Sequence, residues 1–303
     1  MKIILTSILI LFTNWSLACD ANLTIQDLSF DWSSRGQVIN TSFTVDGTSD
    51  FSCYFRSFLV TFSKGNANSY NRKLTHAFGE TVDYNFYKDS SATQVLKDAQ
   101  DIQTTNDTIV SSHSFWPRTL NYYSKLSPPT NGSAPLVRGG LYNDSVQVSV
   151  YTQRNNNRYE LSARNSISVS TFVPKVVDIS LVDQGAPFNI NDTEQTLDFG
   201  ELEKNEELSF DLRVRSNAGY MIFFDSINSG VMKNEVNGDE ISYDLKIDGK
   251  KKKLPTSKAL AESNGVTPEE GNAHTVSVKI GNVNNKQSGL YTDYITITAM
   301  TIE

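Results

Sequence analysis

The residues best suited to chemistry in this sequence are three histidines, His76, His113 and His274, which lie far apart along the chain. A catalytic or metal-binding histidine needs partners that converge on it. The sequence has no Gly-x-Ser-x-Gly, His-Glu-x-x-His or Walker motif. We therefore interpret the histidines as surface or turn residues. We expect no enzymatic activity, no metal and no cofactor.

Two polar segments could bind ions but are also typical of turns. Residues 189–194 place oxygen-bearing side chains at alternating positions, yet they lack the glycine and distal glutamate of an EF-hand, which favours a polar turn. Four lysines at 250–253 follow Asp248 and Gly249, a strong hairpin signal. We interpret these lysines as a solvated turn rather than a site for an anionic surface.

The aromatic residues Phe115, Trp116, Tyr122 and Tyr123 form the most interesting cluster, because prolines at 117, 128, 129 and 135 interrupt the surrounding stretch. Proline cannot donate to a strand ladder, so we expect no regular strand pairing through this stretch. The aromatic rings either close the end of the fold or form an exposed binding patch.

Residues 1–18 have the features of an export signal. Lys2 precedes an apolar run at 3–12, and Ser16 and Ala18 are the small residues that signal peptidase needs. The run is too short to span a bilayer, and no later segment is apolar enough to do so, which predicts a secreted chain that does not span the membrane. Lipidation at Cys19 is an alternative that Ser16 disfavours, because a lipobox has an aliphatic residue there.

Only two cysteines are present, Cys19 and Cys53, and in an oxidising compartment they predict one disulfide. Residues 19–172 carry 13 basic and 13 acidic side chains, whereas residues 173–303 carry 13 and 21, a net charge of −8. Nucleic-acid affinity depends on neutralising phosphates, so an acidic chain of pI about 5.1 is a poor candidate for that partner.

The elements behind these residues are short alternating strands separated by turn residues. Such strands are indicated at 23–25, 38–45, 55–62, 146–150, 159–173, 208–214, 221–224, 276–280 and 295–297. This pattern is typical of a β-sandwich or barrel. Helical patterns occur only at 91–103 and 257–262, and we expect both to be surface insertions.

An internal repeat divides the chain into two copies of one β-domain. The Gly-Leu-Tyr-x-Asp segment at 140–150 recurs at 289–299, residues 82–86 match 241–245, and 28–30 match 197–199. Pro174 marks the expected boundary between domains at 19–173 and 174–303. Tyr142, Tyr291, Asp144 and Asp293 recur in both copies, so we assign them to structure, with each tyrosine bound to a nearby backbone group.

The two copies differ after the repeated segment, because the first continues into the strand expected at 159–173. The second therefore has no final strand within this sequence. A sandwich without that strand exposes a hydrophobic groove and unpaired backbone groups, which a strand from another chain can cover. We expect an all-β fold of two tandem immunoglobulin-like sandwiches, the C-terminal one lacking its final strand.

Several of these segments resemble the spore coat protein U domain family. They are Cys19, the Leu-x-Phe of 28–30, Cys53, the Tyr-Asn-Phe-Tyr of 84–87 and the Gly-Leu-Tyr-x-Asp strand, with segments 199–202, 214–220 and 226–230 in the second half. The resemblance implies a subunit of an archaic chaperone–usher pilus. It implies as partners a periplasmic chaperone, an outer-membrane usher and the next pilin subunit.

A two-copy member resembles a tip adhesin, with a binding N-terminal domain and a C-terminal domain that joins the fibre at the cell surface. We assign adhesion to Phe115, Trp116, Tyr122 and Tyr123 on our own reasoning, since they lie in the neutral, aromatic-rich half. The alternative is a structural spore-coat or surface-layer protein without a specific ligand. A hydrolase would need two convergent carboxylates, to which nothing in the sequence points.

Overall fold

The computed structural model describes residues 20–47, 56–111, 117–128, 136–154, 158–254 and 258–302. Within these ranges, the regular structure consists of twenty β-strands and three short 3-10 helices. The same ranges contain no helix long and apolar enough to cross a bilayer. The expected all-β architecture is confirmed, and the strands form two sandwich-like units in tandem, each around its own hydrophobic core.

The first unit contains ten strands. They are β1 (Ala21–Thr24), β2 (Leu28–Phe30), β3 (Val38–Gly47), β4 (Phe58–Phe62), β5 (Arg72–His76), β6 (Thr81–Tyr87), β7 (Ile109–Ser111), β8 (Arg118–Leu126), β9 (Gly140–Gln153) and β10 (Tyr159–Val173). The sheet follows the order β1-β3-β8-β6-β5-β9-β10-β2, and β4 pairs with β7 and β9. Because β9 pairs with β5 at its start and with β4 further along, it joins both layers of the unit.

The last strand of the first unit, β10, completes its fold. It runs antiparallel to β9 over nearly its whole length and parallel to β2 near its end. Ile167, Val169 and Val173 alternate with outward residues and are at most 2% exposed. This strand therefore fills the gap between β9 and β2 with apolar side chains.

The second unit also contains ten strands. They are β11 (Val177–Val182), β12 (Glu207–Ser216), β13 (Gly219–Ser226), β14 (Val231–Asn234), β15 (Glu240–Ile247), β16 (Lys250–Lys252), β17 (Ala261–Ser263), β18 (Asn272–Ile280), β19 (Tyr291–Thr292) and β20 (Ile295–Ile302). One sheet has the order β11-β12-β18-β15-β14-β19, with β16 on β15. The other sheet is β17-β13-β20, and apolar residues of both sheets form the core.

Most strands expected from alternation are present. The run at 159–173 coincides with β10, and the runs at 38–45, 208–214 and 276–280 lie within β3, β12 and β18. Asp248 and Gly249 form the expected two-residue hairpin turn between β15 and β16, both with positive φ, 51° and 74°. The alternation of apolar and polar residues with a period of two therefore predicts these regular strands correctly.

Both helical expectations are wrong. Residues 91–103 form turns and one 3-10 helix at Ala99–Asp101, and Leu96 within them is fully buried rather than part of a surface insertion. In the second segment, Ala261–Ser263 form β17, which pairs with β13. Short apolar runs do not distinguish a helix from a strand, and sheet pairing decided the outcome here.

The expectation that prolines prevent strand pairing around Tyr122 and Tyr123 is also wrong. Arg118–Leu126 form β8, which is paired on both sides, with β3 and with β6. Pro117 and Pro128 lie just outside this strand. All the amides that the ladder needs therefore come from residues between the prolines.

Candidate functional site at an open strand edge

The Gly-Leu-Tyr-x-Asp segments build the same local structure in both units. The Tyr84 hydroxyl donates to Asp144 Oδ2 at 2.7 Å, and the Tyr243 hydroxyl donates to Asp293 Oδ2 at 2.6 Å. The amides of Asn66 and Asn228 donate to the other oxygen of their aspartate, at 2.8 and 3.1 Å. The repeat found in the sequence is therefore a repeat of hydrogen bonds as well.

The paired tyrosines are structural, as expected. The Tyr142 hydroxyl donates to the carbonyl of Arg138 at 3.0 Å, and the Tyr291 hydroxyl donates to the carbonyl of Gln287 at 2.8 Å. Each bond spans four residues and holds the segment that leads into the repeated strand. This confirms that each tyrosine is bound to nearby backbone.

Strands β9 and β20 occupy the same place in the repeat, but their pairing differs. β9 has partners on both sides, β10 on one and β4 and β5 on the other. β20 pairs with β13, and no other described strand pairs with it. Its second edge therefore presents unpaired backbone amides and carbonyls, which in most proteins are covered.

Burial differs in the same way as pairing. In β9, Val146, Val148 and Val150 are fully buried. The residues at the same positions of β20 are Ile295, Ile297 and Ala299, and all three are only half-buried while packing against the second core. Apolar side chains that point inward but stay half-exposed indicate that part of the core is uncovered.

We assign the opposite wall of this uncovered region to β11, which lies beside β20, and to residues 197–199, whose counterparts in the repeat pair with β10. Val177, Ile179 and Leu181 on β11 are half-buried, and β11 lies beside β20 without hydrogen-bonding to it as a strand. Leu197 and Phe199 are half-buried too and form no strand. Their counterparts in the repeat, Leu28 and Phe30, are buried in β2, which pairs with β10. We call the region between β20, β11 and residues 197–199 the open groove.

The tyrosine and the aspartate near the start of β20, Tyr243 and Asp293, are hydrogen-bonded to each other. Burial raises the pKa of Tyr243 well above its usual value, and its hydrogen bond to the Asp293 carboxylate adds to this shift. The Tyr84 hydroxyl in the first unit is raised in pKa for the same two reasons. Both tyrosines stay neutral donors, so they hold strands together rather than act as bases or nucleophiles.

The histidines have closer partners than the sequence indicates. His274 lies on β18, where its Nε2 is 2.8 Å from the Tyr220 hydroxyl and its Nδ1 is 2.9 Å from Asp248 Oδ2. Tyr220 is fully buried, and burial raises its pKa, so this array ends in the core and not in a cleft. His76 lies 3.5 Å from Glu80 and packs against Tyr142. His113 lies outside the described residues.

The described ranges contain no cluster of three or more histidine, cysteine, aspartate or glutamate side chains arranged for a metal. Residues 189–194 close a polar turn in which Asn189 accepts hydrogen bonds from the amides of Asn191 and Asp192. Lys251 pairs with Asp244 at 2.5 Å across the hairpin. Residues 189–194 thus form the polar turn expected of them. The expectation of a turn at the lysines is wrong, because Lys250–Lys252 form β16 and pair with β15, and the turn is confined to Asp248 and Gly249.

The expected adhesive residues fall into three groups. The prediction that Tyr122 is an exposed binding residue is wrong, because its side chain is fully buried on β8. Its ring packs against Phe43, Phe62 and Phe86, with ring centroids 5.4–6.0 Å apart. Tyr123, the next residue, points to the opposite face and is half-buried. Phe115 and Trp116 lie outside the described residues, as do Cys19 and Cys53 of the expected disulfide.

Comparison with protein families agrees with the resemblance seen in the sequence. Residues 13–149 match the family model of the Spore Coat Protein U domain. The match covers the first unit up to β9, and β10 lies beyond it. No curated protein matches the chain.

Several solved structures are similar over most of the chain. One is the chaperone–tip adhesion subunit complex of the archaic chaperone–usher Csu pili of Acinetobacter baumannii, at 13% identity and a TM-score of 0.39, covering 92% of this chain and 99% of that one. Another is CfaE, the adhesive subunit of CFA/I fimbria of enterotoxigenic Escherichia coli, at 16% identity and a TM-score of 0.43, covering 93% and 94%. The CupB6 tip adhesin of Pseudomonas aeruginosa has 10% identity and a TM-score of 0.42, covering 92% and 94%.

Proposed function

We propose that this chain is an adhesive subunit of a chaperone–usher pilus, exported through the periplasm to the cell surface. Its first unit, at 19–173, provides the binding surface. Its second unit, at 174–303, joins the fibre by accepting a strand from another subunit into the open groove. The partners would be a periplasmic chaperone during transit, an outer-membrane usher, and the subunit that donates the strand.

One observation carries this proposal, the difference between β9 and β20. Two strands with the same sequence motif and the same tyrosine–aspartate bond differ in having or lacking a neighbour on one edge. In the first unit the neighbour is β10, which belongs to the same chain. A strand added from another chain supplies the same backbone hydrogen bonds and apolar side chains.

Strand β10 also indicates what the donated strand must look like. Its inward residues Ile167, Val169, Thr171 and Val173 occur at every second position and are buried between β9 and β2. A donor to the open groove needs the same period of two, with medium-sized apolar residues facing Ile295, Ile297 and Leu197. The family match, which ends in β9, is consistent with a domain whose last strand is a separate component.

For adhesion, we propose Phe115, Trp116 and Tyr123 of the first unit. Tyr123 is half-buried and lies six residues after Pro117, the first described residue that follows Trp116. The first unit has no net charge, so it is not repelled from the negatively charged surfaces that most cells present. The second unit, with a net charge of −8, is less suited to that contact.

A structural coat protein is the second candidate, favoured by the description of the matched family. The two candidates differ in their need for a donated strand from a pilus subunit. A coat protein without a fibre role would not require a chaperone and usher for export. Loss of surface display when either is deleted would therefore favour the pilus subunit.

The test uses a synthetic peptide with the sequence of residues 163–173, a copy of most of β10. We expect the peptide to stabilise the second unit of the full chain, by about 2–3 kcal/mol at a hundredfold excess over its Kd. Thermal or denaturant unfolding, followed with and without peptide, measures the effect. The control peptide carries serine at the positions of Ile167 and Val169.

A peptide that fits the groove must act through its inward side chains, so the control peptide should give no stabilisation. Equal stabilisation by both peptides, or by neither, would contradict a strand-accepting groove.

A further inference from the structure

The end of the second unit farthest from the first unit carries four exposed apolar side chains. Ile227 is 72% exposed, Val236 92%, Leu290 67% and Tyr294 68%. The amide of Ile227 donates to the carbonyl of Tyr294 at 3.0 Å, so these two residues are adjacent. We call this surface the apolar pole.

Strand pairing places the apolar pole at the far end. β13 begins at Gly219, beside Asn217, whose side chain contacts the first unit, and ends at Ser226. β20 runs the opposite way, so that Ser226 pairs with Ile295 and Gly219 with Ile302. Ile227 directly follows Ser226, and Tyr294 directly precedes Ile295, so both residues lie at the end of the strands that is remote from Asn217.

Val236 and Leu290 flank β14 and β19, two paired strands of which β14 follows Ile227 and β19 precedes Tyr294 along the chain. Gly289 has a φ of +153° and lies against the Asn234 side chain, leaving no room for a Cβ atom. Asn234 Oδ1 in turn accepts the amide of Val236 at 3.0 Å. Leu290, which follows Gly289, and Val236, two residues after Asn234, therefore both lie close to the contact between Gly289 and Asn234.

The first unit has a corresponding pole. Gly140 lies against His76 as Gly289 lies against Asn234, and His76 Nδ1 accepts the amide of Phe78 at 3.3 Å, as Asn234 accepts that of Val236. Phe78 and Leu141 are 77% and 55% exposed. The two poles therefore occupy the same place in the repeat.

In the first unit, this pole is where the next unit begins. Val173, the last residue of β10, pairs with Gly140, and after three connecting residues the chain enters β11 at Val177. Asn217 bonds the second unit to residues beside this pole. Its side-chain amide donates to the carbonyl of Val137 at 3.1 Å, and its backbone carbonyl accepts from the amide of Gly139 at 2.9 Å. The body that follows the completing strand thus contacts residues 137–139 beside this pole, while Phe78 and Leu141 themselves stay exposed.

The same geometry applies to a donated strand. If it runs antiparallel to β20, as β10 does to β9, its end leaves the groove beside Ile295 and the apolar pole. The protein that continues from that strand is then held against the pole by a short connection. We propose that Ile227, Val236, Leu290 and Tyr294 form the docking surface for the body of the subunit whose strand completes the open groove. This inference rests on the proposed function.

The composition of the two poles supports this assignment. Gly65 and Ser145 of the first unit stand where Ile227 and Tyr294 stand in the second, beside the amides that bond Asp144 and Asp293. The first pole lies beside a body that the chain tethers to it, so the effective concentration is high and Phe78 and Leu141 can stay exposed. The second pole must hold a separate protein, and it has two more large apolar side chains with which to do so.

The test compares Leu290→Lys with Leu141→Lys, the same change at the same position of the first unit. Both residues are exposed, so both variants should fold and should take up the 163–173 peptide as the unmodified chain does. In cells that assemble the fibre, we expect Leu290→Lys to lower the amount of full chain in sheared fibres about tenfold. Leu141→Lys should leave that amount unchanged.

Equal incorporation of the two variants would overturn the docking surface and leave the proposed function standing. Loss of peptide uptake in Leu290→Lys would also overturn it, because the residue would then belong to the groove. If size-exclusion chromatography finds a dimer of the unmodified chain that Leu290→Lys converts to a monomer, the occupant is a second copy and the proposal is wrong.

A third variant tests the proposed function separately. Ile297→Lys places a charge in the open groove, so it should lose both peptide uptake and fibre incorporation. If Ile297→Lys retains both, or if the unmodified chain is absent from sheared fibres, strand acceptance itself fails.

Discussion

Asp144 and Asp293 hold the ends of their strands by collecting hydrogen bonds from several segments. Asp144 is 3% exposed and accepts from the Tyr84 hydroxyl and from the amides of Asn66 and Ser145, at 2.7–2.8 Å. A buried carboxylate is stable only when donors replace the water that it loses. Each donor therefore contributes to folding, and the pairing of tyrosine with aspartate explains why both residues recur together.

We expect Tyr84→Phe and Tyr243→Phe each to destabilise its own unit by about 1–3 kcal/mol, because each leaves a carboxylate oxygen without one of its donors. Denaturant unfolding of the full chain measures the loss. Tyr159→Phe, at the exposed start of β10, is the control and should change stability by less than about 0.5 kcal/mol. Equal effects of all three changes would contradict a specific role for the tyrosine–aspartate bond.

At the scale of elements, the sequence predicts strands well where one face alone is buried. β10 matches its expected range because its inward and outward residues alternate over its C-terminal half. β8 is not among the strands that the sequence predicts, because prolines flank it and proline disfavours strand pairing. The helical pattern at 257–262 is misleading because β17, at Ala261–Ser263, is too short to show a period, and only pairing with β13 makes it a strand.

The candidate site was predictable in part. The repeat predicts an open edge in the second copy, but the half-burial of Ile295, Ile297 and Leu197 is a property of packing. The apolar pole could not be predicted, because its four residues come from four separate turns. Sequence spacing does not indicate which turns meet at one end of a sandwich.

Strand β8 also allows folding and adhesion to be separated. We expect Tyr122→Ser to destabilise the first unit by about 3–5 kcal/mol, because it empties a fully buried aromatic position. Tyr123→Ser, on the opposite face, should cost about 1 kcal/mol or less. Thermal unfolding of the full chain checks both values.

Attachment of cells that display the chain then tests the adhesive residues. Tyr123→Ser and Trp116→Ser should reduce attachment while the unfolding temperature of Tyr123→Ser stays close to that of the unmodified chain. Unchanged attachment in both variants would place the binding surface elsewhere in the first unit.

At the scale of the whole molecule, the repeat gives two related units, and among the described strands only the first unit has one in the position of β10. The connection between the copies is only three residues long, between Val173 and Val177. Asn217 reinforces this connection, because its side chain bonds to Pro174, Val176 and Val137 at 2.8–3.1 Å while being 5% exposed. The first unit is therefore joined to the second by a short backbone connection and by these hydrogen bonds.

We expect Asn217→Ala to loosen the joint between the two units. The change removes the partners of one amide and two carbonyls, at a cost of about 1–3 kcal/mol for each group that stays buried. Small-angle X-ray scattering should give a larger maximum dimension, since the units would be linked mainly by residues 174–176. Asn191→Ala, in an exposed turn, is the matched control. If Asn217→Ala and Asn191→Ala scatter alike, the covalent connection alone fixes the units, and the hydrogen bonds of Asn217 serve only the local turn between β12 and β13.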